Sequence, residues 1–274
     1  MTWTILVLVL GIALYLFGGK LIKQNSKAQD SRMDLVKNST KILAIILIAG
    51  SVCRLWTPYY LTSVNPAILQ EMATGMQEQK NMESSKMVRS YVRDNMDKMM
   101  ADAPVLGNVN ADKTIFLFSD YSCPYCRRVH AELKRVLDSR KDVRIVLKNF
   151  SIHGPLSDAA ARASIAAKMQ GDDKAAALDA MMMSKEFYSQ ADLKDQSKIG
   201  EKVHANVMKM AKDVGLDVKK LEADMNGPVV ARELGQVREL AQRFQINGTP
   251  YLIIGDRAFP GAIPFEQIND ALNK

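Results

Sequence analysis

Cysteine is scarce in this chain: Cys53, Cys123 and Cys126 are the three among 274 residues. Two of them share one C-x-x-C, so no framework of disulfides staples the fold. Half a zinc site is the competing use of such a pair, but a structural zinc needs four ligands, usually Cys and His. The remaining candidates are Cys53, inside an apolar segment, and His130, His153 and His204, which are scattered and lack the H-x3–5-H spacing. No metal is therefore expected, and thiol redox chemistry is the better use of the pair. Dense Lys/Arg runs of the nucleic-acid type are absent as well. The formal net charge of +7 reads as membrane-proximal charge plus a solvated surface, and no nucleic-acid partner is expected. Internal repeats and sustained heptads are missing too, which excludes a solenoid and a long coiled coil.

Long apolar runs are confined to the first sixty residues. Residues 2–19 carry no charge and nearly span a hydrocarbon core of about 30 Å. A second run, 42–53, is short. With Lys37 and Lys41 at one end and Arg54, Trp56, Tyr59 and Tyr60 at the other, 38–58 makes a reasonable second helix. The intervening segment 20–41 holds Lys20, Lys23, Lys27, Arg32, Lys37 and Lys41 against Asp30 and Asp34. Short loops rich in Lys and Arg stay cytoplasmic. Residues 1–61 thus read as a two-helix transmembrane hairpin with a basic cytoplasmic loop, anchored in the inner membrane. Everything after it lies in the periplasm, an oxidising space. A signal peptide lacks its n-region and A-x-A site here. Gly50–Cys53 faintly resembles a lipoprotein processing site, with Val52 where a small residue is wanted.

Residues 62–103 read as a helical stalk. Ile68, Met72 and Met76 are spaced by four, and Val88, Val92, Met96 and Met99 or Met100 continue on one face. Two uses fit that stripe: a helix packed on its own domain, or a homo-oligomerisation segment. From Pro104 to Asp112 the pattern is that of a loop. Thr114–Phe118 is a buried-type strand, residues 123–138 a helix and Val143–Phe150 the next strand, which together make a βαβ unit. Residues 157–243 hold no strand signal and are helical in period. A strand at Tyr251–Ile254 and a closing helix at 264–273 follow.

Three segments carry a resemblance. They are Phe118–Cys126 with its Cys-Pro-Tyr-Cys, Asn247–Gly255 with its Gly-Thr-Pro before an apolar strand, and the ending Phe259–Gln267. On these, residues 104–274 resemble the DsbA branch of the thioredoxin superfamily, in particular the subgroup with oligomerising N-terminal extensions. The resemblance implies an α/β thioredoxin fold with an inserted α-helical domain at about 157–243. It implies a disulfide oxidoreductase or isomerase whose cofactor is none beyond its own redox-active Cys123–Cys126 disulfide. Cysteine-containing exported proteins are its implied substrates, and a membrane partner re-oxidises or reduces it. Pro250 is implied to be cis. The rival is an anchored, non-catalytic holdase or assembly factor that keeps the fold as a binding module; retention of both cysteines argues against it.

Physical chemistry gives the motif its roles. Cys123 sits at a helix N-terminus, where unpaired backbone N–H groups and the dipole favour a thiolate. Cys126, one turn further in, resolves the mixed disulfide. Pro124 suits the first turn, and the neutral Tyr125 points to milder oxidising power than a histidine there. Pro250 has no N–H, and Thr249 offers backbone groups to an extended substrate beside Cys123. One departure stands out: the family often has a buried carboxylate six residues before the first cysteine, and Leu117 occupies that place here. Asp120 is the nearest acid, open to proton transfer, turn capping or solvent. His130 is expected on the surface, and Cys53 as a small membrane-helix residue or a relay thiol.

Overall fold

A computed structural model describes residues 7–13, 41–54, 66–189, 192–194 and 197–273. Its residues divide into two compact units, 1–80 and 81–274, and the division falls within one helix.

In the first unit, 7–13 (α1) and 41–54 (α2) are helical. A Cβ on Gly11 would meet Ile48 at 3.1 Å and Leu47 at 3.5 Å, so the two apolar segments touch where the smallest residue stands. Ile42, Leu43, Ile45 and Ile46 are exposed. Among the described residues no helix is long and apolar enough to cross a membrane. Most of the first expected span, both ends of the second and nearly all of the 20–41 loop lie outside the described residues.

The second unit is built on a five-stranded sheet of order β1-β3-β2-β4-β5. The strands are β1 (Val105–Gly107), β2 (Lys113–Ser119), β3 (Val143–Asn149), β4 (Tyr251–Ile254) and β5 (Arg257–Pro260). Central β2 runs parallel to β3 and antiparallel to β4. It is buried on both faces, which is why its sequence is apolar without alternation. Side chains still alternate between faces. Ile115 and Leu117 pack under α4 (Pro124–Ser139) and α10 (Phe265–Leu272). Phe116 and Phe118 face the opposite way, toward Val237, Leu240 and Phe244 of the α9 region (Pro228–Arg243 and the residue after it). The inserted helices α5 (Asp158–Lys168), α6 (Asp172–Ser184), α7 (Ile199–Asp213) and α8 (Val218–Met225) form a third core, which reaches Tyr121, Cys123 and Cys126.

Two expectations change. The 104–112 loop contains β1, which pairs antiparallel with β3. Three residues are too few to show strand alternation, and Gly107 at φ +83° ends the strand where a Cβ would strike Leu137 at 2.7 Å. The stalk, α3 (Pro66–Met100), is one helix with a break in helical geometry at Asn95. Its later stripe does not stand free. Val88, Val92 and Met99 are buried in the core behind the sheet, and Tyr91 meets the Phe244 ring edge-on at 5.5 Å. The compact unit that holds the sheet spans Asn81–Lys274 and includes this part of the helix. Met72, Met76 and Met82 remain exposed.

Candidate active site

Helix α4 starts one residue after Cys123, with Pro124 in its first turn and Cys123 as the N-cap in extended conformation. Proline suits that place because its missing N–H has no helical partner there. The Cys123 carbonyl accepts from the Cys126 and Arg127 N–H groups at 3.1 and 3.2 Å, which closes the first turn and brings both thiols to one end of the helix. Both cysteines are free thiols in this state. Cys123 keeps 5% exposure and Cys126 none, so Cys123 is the more accessible of the two thiols. Tyr125 projects outward at 58% exposure, under the Arg128 guanidinium.

The Thr249–Pro250 peptide is cis. It places the Thr249 carbonyl 3.4 Å from Cys123 Sγ, whose thiol donates to it. The loop before β4 thus faces the Cys123 end of α4, although 126 residues separate the two in sequence.

Cys126 is held differently. The Asp120 backbone N–H donates to its sulfur at 3.4 Å. Burial pushes its thiol up to about 11, and the Asp120 N–H and the nearby hydroxyls of Ser119 and Thr249 oppose that rise.

The Asp120 carboxylate, 1% exposed, is taken up by partners other than the thiols. Its Oδ1 accepts from Ser122 N–H at 2.8 Å. Its Oδ2 accepts from Ile152 N–H at 2.7 Å, His153 N–H at 3.0 Å and the Ser157 hydroxyl at 2.9 Å. His153 Nδ1 lies 3.0 Å from the same oxygen. This set of donors ties the turn before Cys123 to the 151–157 loop. Leu117 lies in the apolar core beneath α4, with no acid in its place.

Several members of the site were not read from the sequence. The Tyr121 hydroxyl bonds to Asp179 at 2.8 Å and Ser164 at 2.9 Å, fixing the active-site turn to α6 and α5. Burial drives Tyr121 well above the ordinary phenol range and raises Asp179, whose carboxyl His130 pulls back down. His130, expected on the surface, is 12% exposed with Nε2 3.3 Å from Asp179. Arg127 donates to the carbonyls of Met183, Lys185 and Tyr121, clamping the end of α6 to α4. Tyr121, Arg127 and His130 meet Ser164, Asp179 and Met183 across 43 or more residues, so local periodicity carries no trace of these pairings. His204 instead pairs with Glu222 on the surface, far from the motif in sequence. Cys53 lies exposed on α2. Among the described residues no group of three or more His, Cys, Asp or Glu converges to hold a metal.

The chain is similar to the disulfide bond formation protein D of Bacillus subtilis, at 21% identity over 62% of this chain and 76% of that protein. It is also similar in structure to a thioredoxin-like oxidoreductase from Silicibacter pomeroyi. That match has 36% identity and a TM-score of 0.57, and covers 65% of this chain and 96% of that one. Proteus mirabilis ScsC in a compact conformation matches at 25% identity and a TM-score of 0.55, covering 81% of this chain and 95% of that one. A family model described as the DSBA-like thioredoxin domain matches residues 114–273.

Proposed function

The chain belongs to the DSBA-like thioredoxin domain family, and from that premise we propose that it is a thiol–disulfide oxidoreductase acting on exported proteins through Cys123 and Cys126. The observation that carries this is the pairing at one helix end of a thiol that keeps some exposure with a fully buried one, facing the Thr249 carbonyl at 3.4 Å. In the oxidising direction a substrate thiolate attacks Cys123 Sγ of the Cys123–Cys126 disulfide. That bond breaks, its electron pair goes to Cys126, and a mixed disulfide forms. A second substrate thiolate attacks the substrate sulfur and releases Cys123, so two electrons have passed from substrate to the cysteine pair. Pro124 and Tyr125 shape the turn, and Thr249 and Pro250 line the substrate side. Asp120, with its carboxylate saturated by loop donors, positions the turn rather than moving the proton.

The domain at 104–274 with its insertion at about 157–243 acts on the periplasmic face, held to the inner membrane by a hairpin over 1–61. The contact at Gly11 and the exposed isoleucines of α2 support the hairpin. A membrane partner resets the pair. Segment 62–103, with Met72 and Met76 exposed, links copies into a homo-oligomer, which raises the local thiol concentration that an isomerase needs. The match to ScsC covers more of this chain than 104–274 alone, which favours including the helix in the working unit.

Thiol trapping of the full chain in its cells tests the direction of flow. A Cys123–Cys126 pair held mostly as disulfide fits an oxidase, and one held mostly as dithiol fits an isomerase or reductase. Loss of neither thiol under oxidant, or oxidation of Cys53 alone, would overturn the assignment. Light scattering on the detergent-solubilised chain and its Met72→Lys/Met76→Lys variant tests the assembly. A monomer in both would reduce α3 to a spacer.

A further inference from the structure

Cys126 must ionise to close the disulfide, yet it is fully buried and the family's usual acid is replaced by Leu117. The titratable groups closest to it offer no base. Asp120 gives it a backbone N–H while its carboxylate is taken up by the loop, and Cys123 raises its cost of ionisation by charge. Two hydroxyls stand out instead. Ser119 Oγ, at the end of β2, and Thr249 Oγ1, in the loop before β4, are both buried and without a well-formed hydrogen bond. Burying a hydroxyl unpaired costs free energy, so an idle buried hydroxyl marks capacity held for another state. Ser119 directly precedes Asp120, whose N–H reaches the Cys126 sulfur, and Thr249 closes the site from the other side with its carbonyl 3.4 Å from Cys123 Sγ. Both hydroxyls thus stand beside the Cys126 thiol and favour its charged form. In the dithiol these contacts are slack, because a neutral sulfur is a weak acceptor. On a thiolate they become charge-assisted.

We propose that Ser119 is a positioning residue for the resolving step. With Thr249 and the Asp120 N–H it forms a three-donor cradle that steadies the Cys126 thiolate in place of a carboxylate. The proposal rests on the redox role of Cys123 and Cys126 given above. In the step concerned, Cys126 gives up its proton to solvent and its thiolate attacks Cys123 Sγ of the mixed disulfide. The Cys123–Cys126 bond forms and the Cys123–substrate bond breaks. The electron pair leaves on the substrate sulfur, which takes up a proton from solvent. The substrate is reduced and the cysteine pair is oxidised. No outside reductant is needed.

The test uses the full chain carrying Cys53→Ser, charged at Cys123 with thionitrobenzoate, whose release is seen by its colour. Two rates are read across pH: capture of the reagent by Cys123, and release by Cys126. Ser119→Ala is expected to slow release about tenfold at every pH below the Cys126 transition while leaving capture within about twofold. Ser119→Thr, which keeps the hydroxyl, restores release. Thr249→Val combined with Ser119→Ala is expected to slow release about a hundredfold. A merely structural role would lower both rates together, or leave the pH profile of release unmoved, and either result overturns the cradle. Failure of the Cys53→Ser parent to capture or release the reagent would instead remove the redox assignment itself.

Discussion

Ionisable groups are buried in two places on this sheet, and they are treated in opposite ways. Behind the sheet, Lys148 of β3 and Glu233 of α9 are both essentially inaccessible, and they meet at 2.8 Å. Gln236 Oε1 accepts a further hydrogen bond from Lys148 Nζ at 2.7 Å. Burial lowers the lysine and raises the glutamate, and each partner opposes the other's shift. At the C-terminal end of β2, Cys126 is buried just as fully, but the hydroxyls of Ser119 and Thr249 beside it are not engaged. Filled hydrogen-bonding capacity marks the pair that holds the fold together. Unfilled capacity marks the group that changes charge during its work.

The largest effect should come from the unfilled place. Cys123→Ser is expected to lower dithiol exchange about a thousandfold or more, because no second accessible thiol stands at the helix end. Cys126→Ser should instead accumulate mixed disulfides with substrate proteins, visible on non-reducing gels. Neither change should alter unfolding as strongly as a change at the filled place.

Lys148→Met or Glu233→Leu alone is expected to cost about 3–5 kcal/mol in denaturant unfolding, because each strands a buried charge. The double variant should regain most of that loss. Exchange activity per folded molecule should stay near that of the parent in all three, which separates the two places cleanly.

Asp120→Ala comes next, at about 1–3 kcal/mol, since Ile152, His153 and Ser157 lose their shared acceptor. Its exchange rate should fall only modestly, and proteolysis should begin in the 151–157 loop. A loss as deep as that of Cys123→Ser would mean that the carboxylate moves a proton after all.

The smallest effect concerns Asp179. Its native carboxyl titrates above the unfolded value of 3.8, mainly through burial, with His130 opposing. The native state therefore holds a proton that the unfolded state has already released. The resulting stability is full below pH 3.8 and is lost as pH rises through the native transition. Asp179→Asn should flatten that slope in urea unfolding from pH 3 to pH 7, and an unchanged slope would assign it elsewhere.

How much of this was legible in the sequence follows from where the partners lie. Cys-Pro-Tyr-Cys fixes a helix start with local rules alone, and Gly-Thr-Pro before an apolar run marks the facing loop. The strands of Thr114–Phe118 and Val143–Phe150 show as apolar runs because both faces of the sheet are covered. The cradle around Cys126 does not show, because Ser119 and Thr249 are 130 positions apart and each alone is an ordinary turn residue. Lys148 reads as a blemish in a strand until Glu233, 85 residues later, is placed above it. Tyr121 and Asp179 meet across 58 residues for the same reason. The packing of Val88, Val92 and Met99 was visible as a stripe, but a stripe does not say which surface covers it.

The most direct measurement is alkylation mass mapping of the full chain after equilibration across a glutathione redox series. The expected result is that Cys123 and Cys126 lose their alkylation together, as one intramolecular disulfide with a single two-electron transition, while Cys53 stays alkylated throughout. Independent oxidation of the two thiols, or glutathione retained on Cys123 at equilibrium without closure to Cys126, would contradict a resolving role for the buried cysteine and with it the proposed exchange mechanism.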